Sequence, residues 1–114
     1  MNKYRVMLVD DEEDVIQVII RKMDWERLGF TVQGYAHNGL EALEMAEEEQ
    51  PDVVMTDIKM PFMDGLELAR IVRKELPDTR IIILSGHNEF EYARKAITLG
   101  VNDYLLKPVS SSDI

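Results

Sequence analysis

Carboxylates, a hydroxyl and an ammonium follow four of the short apolar runs in this chain. Asp10 and Asp11 come after Val6-Met7-Leu8-Val9, Asp57 after the run Val53-Val54-Met55, Ser85 after Ile81-Ile82-Ile83-Leu84, and Lys107-Pro108 after Tyr104-Leu105-Leu106. Three carboxylates within a few ångströms repel one another and push at least one pKa upward unless a cation neutralises them. An all-oxygen set of this size suits Mg²⁺, which keeps several waters and pairs with one or two carboxylates plus a phosphate. The lysine adds a second positive charge and the serine a donor, which together can stabilise the equatorial oxygens of a phosphoryl group in transfer. An aspartate held among them can itself be the nucleophile and form an acyl phosphate. Taken singly, each residue has a plainer reading. Asp10 and Asp11, with Glu12, Glu13 and Asp14 behind them, fit a helix cap and an acidic first turn favoured by the helix dipole. Asp57 fits a loop aspartate, Ser85 a turn hydroxyl, and Lys107-Pro108 a solvated strand end closed by proline. Together they favour one site, because all four strand ends are polar in the way a phosphoryl group requires.

The elements that must position these residues are legible in the hydrophobic pattern. Five apolar runs, the four above and Phe30-Thr31-Val32, are too short for helices; three of them are continuous, as in a strand covered on both faces, whereas Phe30-Thr31-Val32-Gln33 alternates like an edge strand. Between them lie helical periods with recognisable starts. Asp11 is placed to cap a helix carrying Val15, Ile16, Ile19, Ile20 and Met23, while Asn38 with Glu41, Asp64 with Glu67, and Asn88 with Glu91 resemble capping boxes. Gly29 and Gly100 sit where a left-handed helix end is wanted, and Pro51 and Pro77 forbid continuation. Strand and helix alternate four times, which predicts right-handed crossovers and a mainly parallel sheet with helices on both faces. In such a sheet ligands bind beyond the carboxyl ends of the strands, where the polar residues above would converge. Ser110-Ser111-Ser112-Asp113 followed by Ile114 reads as the start of a fifth helix, so residues 1–114 are expected to be one domain cut as that helix begins.

Composition narrows the functions. The chain has 114 residues, enough for one domain, and a net charge of -9, the wrong sign for neutralising nucleic-acid phosphates. With no cysteine there are no disulfides or thiolate metal sites, and with no long apolar run no membrane span; we expect a soluble cytoplasmic protein without direct nucleic-acid or membrane binding. His37 and His87 lack ligand spacing, Trp25 and Leu28 fit core packing at a helix end, Glu41, Glu44, Glu47, Glu48 and Glu49 fit a solvated helix face, and Gly34 and Gly39 fit no phosphate cradle.

Four motifs then resemble the receiver domain of two-component response regulators: Leu8-Val9-Asp10-Asp11, the run from Asp57 through Lys59-Met60-Pro61 to Asp64-Gly65, Ile83-Leu84-Ser85-Gly86, and Asp103-Tyr104-Leu105-Leu106-Lys107-Pro108. The resemblance runs from Val6 to Pro108. It implies a flavodoxin-like (βα)5 three-layer sandwich with parallel strand order 2-1-3-4-5, its fifth helix truncated. It also implies a switch rather than an enzyme with turnover: Asp57 as phosphoacceptor, Asp11 as direct and Asp10 as largely water-mediated Mg²⁺ ligands beside Asp57, and the backbone carbonyl of Lys59 completing the metal site. Lys107 would pair with Asp57 or its phosphoryl group, Ser85 would bond the phosphoryl oxygen, Tyr104 would be the rotameric switch, and the bond to Pro108 would be cis. The implied partners are a sensor histidine kinase, a C-terminal output domain absent from this chain, and a second copy on phosphorylation. The stretch from Met23 to Phe30 further resembles receivers of regulators with AraC-type DNA-binding domains. Two alternatives use related features: a Mg²⁺-dependent phosphatase of the haloacid dehalogenase type, which carries Asp-x-Asp where this chain has adjacent Asp10-Asp11, and a phosphorylation-independent module of receiver shape, which typically lacks an acceptor-site residue.

Overall fold

Neighbouring residues of a strand point to opposite faces, and that rule divides this molecule into layers. The computed structural model describes residues 4–58, 60, 62–85 and 103–106. Strands β1 (Tyr4–Val9), β2 (Phe30–Ala36), β3 (Val53–Asp57), β4 (Arg80–Ser85) and β5 (Asp103–Leu106) pair in parallel in the order β2-β1-β3-β4-β5. On one face Met7, Val9, Val54, Ile81 and Ile83 pack with Ala42 and Ala46 of α3 (Gly39–Glu49) and with Leu68, Ala69 and Val72 of α4 (Gly65–Glu75). On the other, Val6, Leu8, Val53, Met55 and Leu84 pack with Ile16, Ile19 and Met23 of α1 (Glu13–Lys22) and its end, and with Trp25 of α2 (Trp25–Leu28). Residues 6 to 9 and 81 to 84 thus feed both cores alternately, which is why these runs read as continuously apolar. The parallel sheet, its strand order and the helices on both faces are those expected.

Local chemistry sets the helix ends. Asn38 accepts from the Glu41 N–H and Asp64 from the Glu67 N–H, both at 2.8 Å, so these two side chains cap the N-termini of α3 and α4. Gly29 is left-handed at φ 85°, closing α2. Three expectations are corrected. Asp11 does not cap α1: Glu12 holds the cap position without a side-chain bond, and the chain bends at Asp11 because Asp10 has taken the Glu12 N–H. The first helix is not continuous through Met23, where the backbone turns extended; Asp24 starts α2 afresh by accepting from the Arg27 N–H at 3.3 Å. Finally, β2 runs on to Ala36 rather than ending at Val32. Its register against β1 slips between Val6 and Met7, with Val32 opposite Val6 and Gly34 opposite Met7, so Gln33 is an extra residue that breaks the alternation. The helix expected after Asn88 and the one starting at Ser110 fall outside the described residues.

Candidate functional site

The register of the central strands places the acids. Val9 of β1 lies opposite Thr56 of β3, so Asp10 and Asp57 leave the sheet on neighbouring strands, which run about 4.8 Å apart. Both are buried, Asp10 to 1% exposure and Asp57 to 5%. Local backbone aims each carboxylate: the Glu12 N–H donates to Asp10 Oδ1 and the Ile58 N–H to Asp57 Oδ1, both at 2.9 Å. The Asp10 N–H donates to the Ala36 carbonyl at 3.1 Å, fastening the end of β1 to the end of β2.

Among the described residues, Asp10, Asp11 and Glu12 bring carboxylate oxygens within 4.8 Å of one another. This donor set is all oxygen and fits a hard divalent cation such as Mg²⁺. The bend that denies Asp11 its capping role leaves it exposed at the rim beside buried Asp10. Glu12, read from the sequence as part of an acidic first turn, joins the group; a run of consecutive acids just after a strand end was the available signal.

The backbone of Asp57 is held as closely as its carboxylate. The buried Thr56 hydroxyl donates to the Asp57 carbonyl at 2.9 Å. Gly65, the first residue of α4, donates its N–H to the Ile58 carbonyl at 2.7 Å. A Cβ at Gly65 would collide with the Asp57 carbonyl oxygen and stand 3.0 Å from its carbon, so a glycine is needed for the loop to close. Neither residue was singled out from the sequence for this role, since a hydroxyl inside an apolar run and a glycine after a cap have many uses.

Of the remaining expected site residues, Ser85 and Tyr104 lie on β4 and β5, where the registered pairs are Ile83 with Tyr104 and Ser85 with Leu106. Lys59, Lys107 and Pro108 lie outside the described residues. His37, immediately after β2, has its Nε2 2.9 Å from Glu13 Oε1 and its Nδ1 3.7 Å from Glu41 Oε1, with Tyr35 edge-on at 5.7 Å. The Glu13 hydrogen bond, ahead of the other influences, raises the His37 pKa. Glu13 is held below the usual carboxylate value, first by the bond from Gln17 and then by His37. No helix among the described residues is long and apolar enough to cross a membrane.

A family model for the response regulator receiver domain matches residues 6–114. The uncharacterised transcriptional regulatory protein YesN of Bacillus subtilis is 45% identical over 111 residues, which are 97% of this chain and 30% of that protein. Transcriptional regulatory protein HptR of Staphylococcus aureus is 35% identical over 111 residues, 97% of this chain and 43% of the relative. The chain therefore spans less than half the length of these curated relatives. The solved REC domain of AraT, a response regulator from Geobacillus stearothermophilus, matches with a TM-score of 0.89 at 40% identity, covering 96% of this chain and 85% of that one. The response regulator domain of Thermotoga maritima CheB matches with a TM-score of 0.83 at 34% identity, covering 96% and 82%. The family model spans the paired acids after β1, Asp57 and the strands that carry them, and the sheet order agrees; this chain belongs to the response regulator receiver domain family.

Proposed function

We propose that Asp57 accepts a phosphoryl group from the phosphohistidine of a sensor histidine kinase and that the acyl phosphate biases this domain toward a state read by an output domain. The observation that carries this reading is the juxtaposition of two buried carboxylates, Asp10 and Asp57, at the ends of adjacent strands, with Asp11 and Glu12 grouped with Asp10. In the transfer the P–N bond to histidine breaks as an Asp57 oxygen bonds to phosphorus, and hydrolysis of the acyl phosphate later restores the carboxylate. Asp10, Asp11 and Asp57 would hold Mg²⁺ with the Lys59 carbonyl, and the ion when bound supplies charge neutralisation at the transferring oxygens. The Ile58 N–H holds the Asp57 carboxylate and the Thr56 hydroxyl holds its backbone carbonyl. Lys107 would pair with Asp57 or its phosphoryl group, with a cis bond to Pro108, and Ser85 would donate to a phosphoryl oxygen and move inward with its loop, opening space for Tyr104, the switch residue. The domain turns over only its own phosphoryl group. The output domain is a DNA-binding one of transcriptional regulation, the setting is cytoplasmic, and phosphorylation promotes a homodimer. The link to transcription is supported by the names of YesN and HptR, both transcriptional regulatory proteins.

Acetyl phosphate and Mg²⁺, followed by intact mass measurement, test the reading. One added phosphoryl group is expected; EDTA and Asp57→Asn should each abolish it, and labelling of Asp57→Asn at the wild-type rate would overturn the assignment.

A further inference from the structure

We propose that Phe62 is an aromatic anchor that seats the phosphohistidine-bearing domain of the kinase on this rim, an inference that rests on Asp57 being the acceptor. Two anomalies meet at this residue. Its φ is +71°, a left-handed conformation that glycine and asparagine tolerate and bulky L-residues avoid. Its side chain is 83% exposed, whereas Phe30 packs edge-on against Trp25 with ring centroids 6.2 Å apart. Strain combined with an exposed aromatic ring serves neither stability nor solubility, and strained residues gather at functional sites.

Its position says what the ring is for. Phe62 lies three residues before Gly65, whose Cα touches the Asp57 backbone, so its own Cα is within about 11 Å of Gly65. A macromolecular donor must bring phosphorus into bonding distance of Asp57, and its surface must therefore cover this rim. Leu40, 50% exposed, lies on an adjoining segment: a Cβ on the preceding Gly39 would stand 2.6 Å from the Met63 carbonyl oxygen, so the start of α3 abuts the residue after Phe62. The rim thus offers two exposed apolar side chains, Leu40 adjoining Glu41, which shares His37 with Glu13, the neighbour in the chain of the exposed acids Asp11 and Glu12; this is the apolar anchor and charged surround of a partner surface. The matching surface is an apolar recess flanked by Lys or Arg. A second copy of this chain fits poorly, because it brings the same acids and a net charge of -9 to the contact.

Asparagine suits the left-handed backbone, so Phe62→Asn removes the ring without disturbing the loop. The phosphodonors are acetyl phosphate and the autophosphorylated histidine-bearing domain of a sensor kinase, chosen from a panel as the fastest donor to the wild-type chain. We expect kcat/KM from the kinase domain to fall at least about tenfold, through KM. Labelling by acetyl phosphate and the melting temperature should stay at wild-type values or above, and Phe62→Trp should retain transfer. Unchanged kinase transfer overturns the anchor. So does an equal loss with both donors, which would assign Phe62 to shaping the acceptor loop, or a change confined to self-association, which would assign the rim to a second copy. If wild type takes no label from acetyl phosphate, the acceptor assignment itself falls, a failure distinct from any selective loss.

Discussion

Two aspartates mark the two ends of strand β3, and their surroundings differ in kind. Asp52, just before the strand, receives the Arg5 backbone N–H at 2.7 Å and lies 3.6 Å from Arg5 Nε, while its own N–H and carbonyl bond to Arg5 and Arg80, both at 2.9 Å. The Arg5 guanidinium also donates to the carbonyls of Glu49 and Gln50, at 3.1 and 2.7 Å. Asp52 and Arg5, through backbone and side chain together, stitch the starts of three strands to the end of α3. At the other end Asp57 is buried on the strand next to Asp10, whose carboxylate is grouped with those of Asp11 and Glu12. Charge at the amino end of the sheet closes the fold; at the carboxyl end acids are concentrated, and that concentration favours a cationic ligand. With no cation bound, the crowded acids at the carboxyl end are expected to cost stability where the Asp52–Arg5 pair adds it.

The largest expected effect is at the carboxyl end. Gly65→Ala should cost about 3 kcal/mol, because the methyl group meets backbone that cannot rotate away. A wild-type midpoint in denaturant melts would show that the α4 start and Asp57 are less tightly apposed than described. Next comes the direct test of sign. Without divalent cations, Asp10→Asn should raise stability by about 1 kcal/mol, since an amide oxygen can still accept from the Glu12 N–H while the repulsion is relieved. Asp52→Asn should lower it by about 0.5 kcal/mol, the modest worth of a partly exposed ion pair. Added Mg²⁺ should stabilise wild type more than Asp10→Asn and leave the Asp52→Asn difference unchanged. Two substitutions of the same sign would erase the contrast between the ends.

A similar cost, about 1 kcal/mol, attaches to Thr56→Val, which keeps the shape and deletes the donor to the Asp57 carbonyl. Thr56→Ser should recover labelling by acetyl phosphate better than the valine variant, and equal rates for both would mean the hydroxyl does nothing for the acceptor. The smallest effect concerns His37. Its folded pKa lies above the ordinary 6.5, so its contribution is complete below that value and fades as pH rises through the folded pKa. Glu13 has the opposite shift, contributing above the ordinary 4.5 and losing its effect as pH falls through its lowered value. The pair thus acts in the window between. NMR titration of the His37 ring should show its pKa falling in Glu13→Gln, and an unmoved midpoint would separate the two residues in solution.

What could be read from the sequence follows the reach of each signal. Strands fed alternately into two cores leave unbroken apolar runs, so β1, β3 and β4 were evident, as were the caps at Asn38 and Asp64, where one side chain decides the geometry. The strand order came from resemblance, because periodicity says which residues are buried and not which strands are neighbours. Asp11 was misread as a cap because a capping aspartate and a rim aspartate are the same residue type; the choice is made by Asp10 taking the Glu12 N–H. The length of β2 was under-read because Gln33 interrupts the period on which the reading depended. Thr56 and Gly65 act through single contacts with Asp57 that require the folded loop, and no spacing rule encodes them.

The irregularity in β2 also bears on what this sheet must avoid. As the first strand in the sheet order, β2 pairs with β1 along one side only, and the far side of such a strand is a template on which another chain can add. With Gln33 inserted between the partners of Val6 and Met7, the strand bends and twists more sharply there. An incoming strand with even spacing can follow it for about half its length before its hydrogen-bonding groups fall out of step. The extra residue should therefore make the β2 edge a poor template for strand addition.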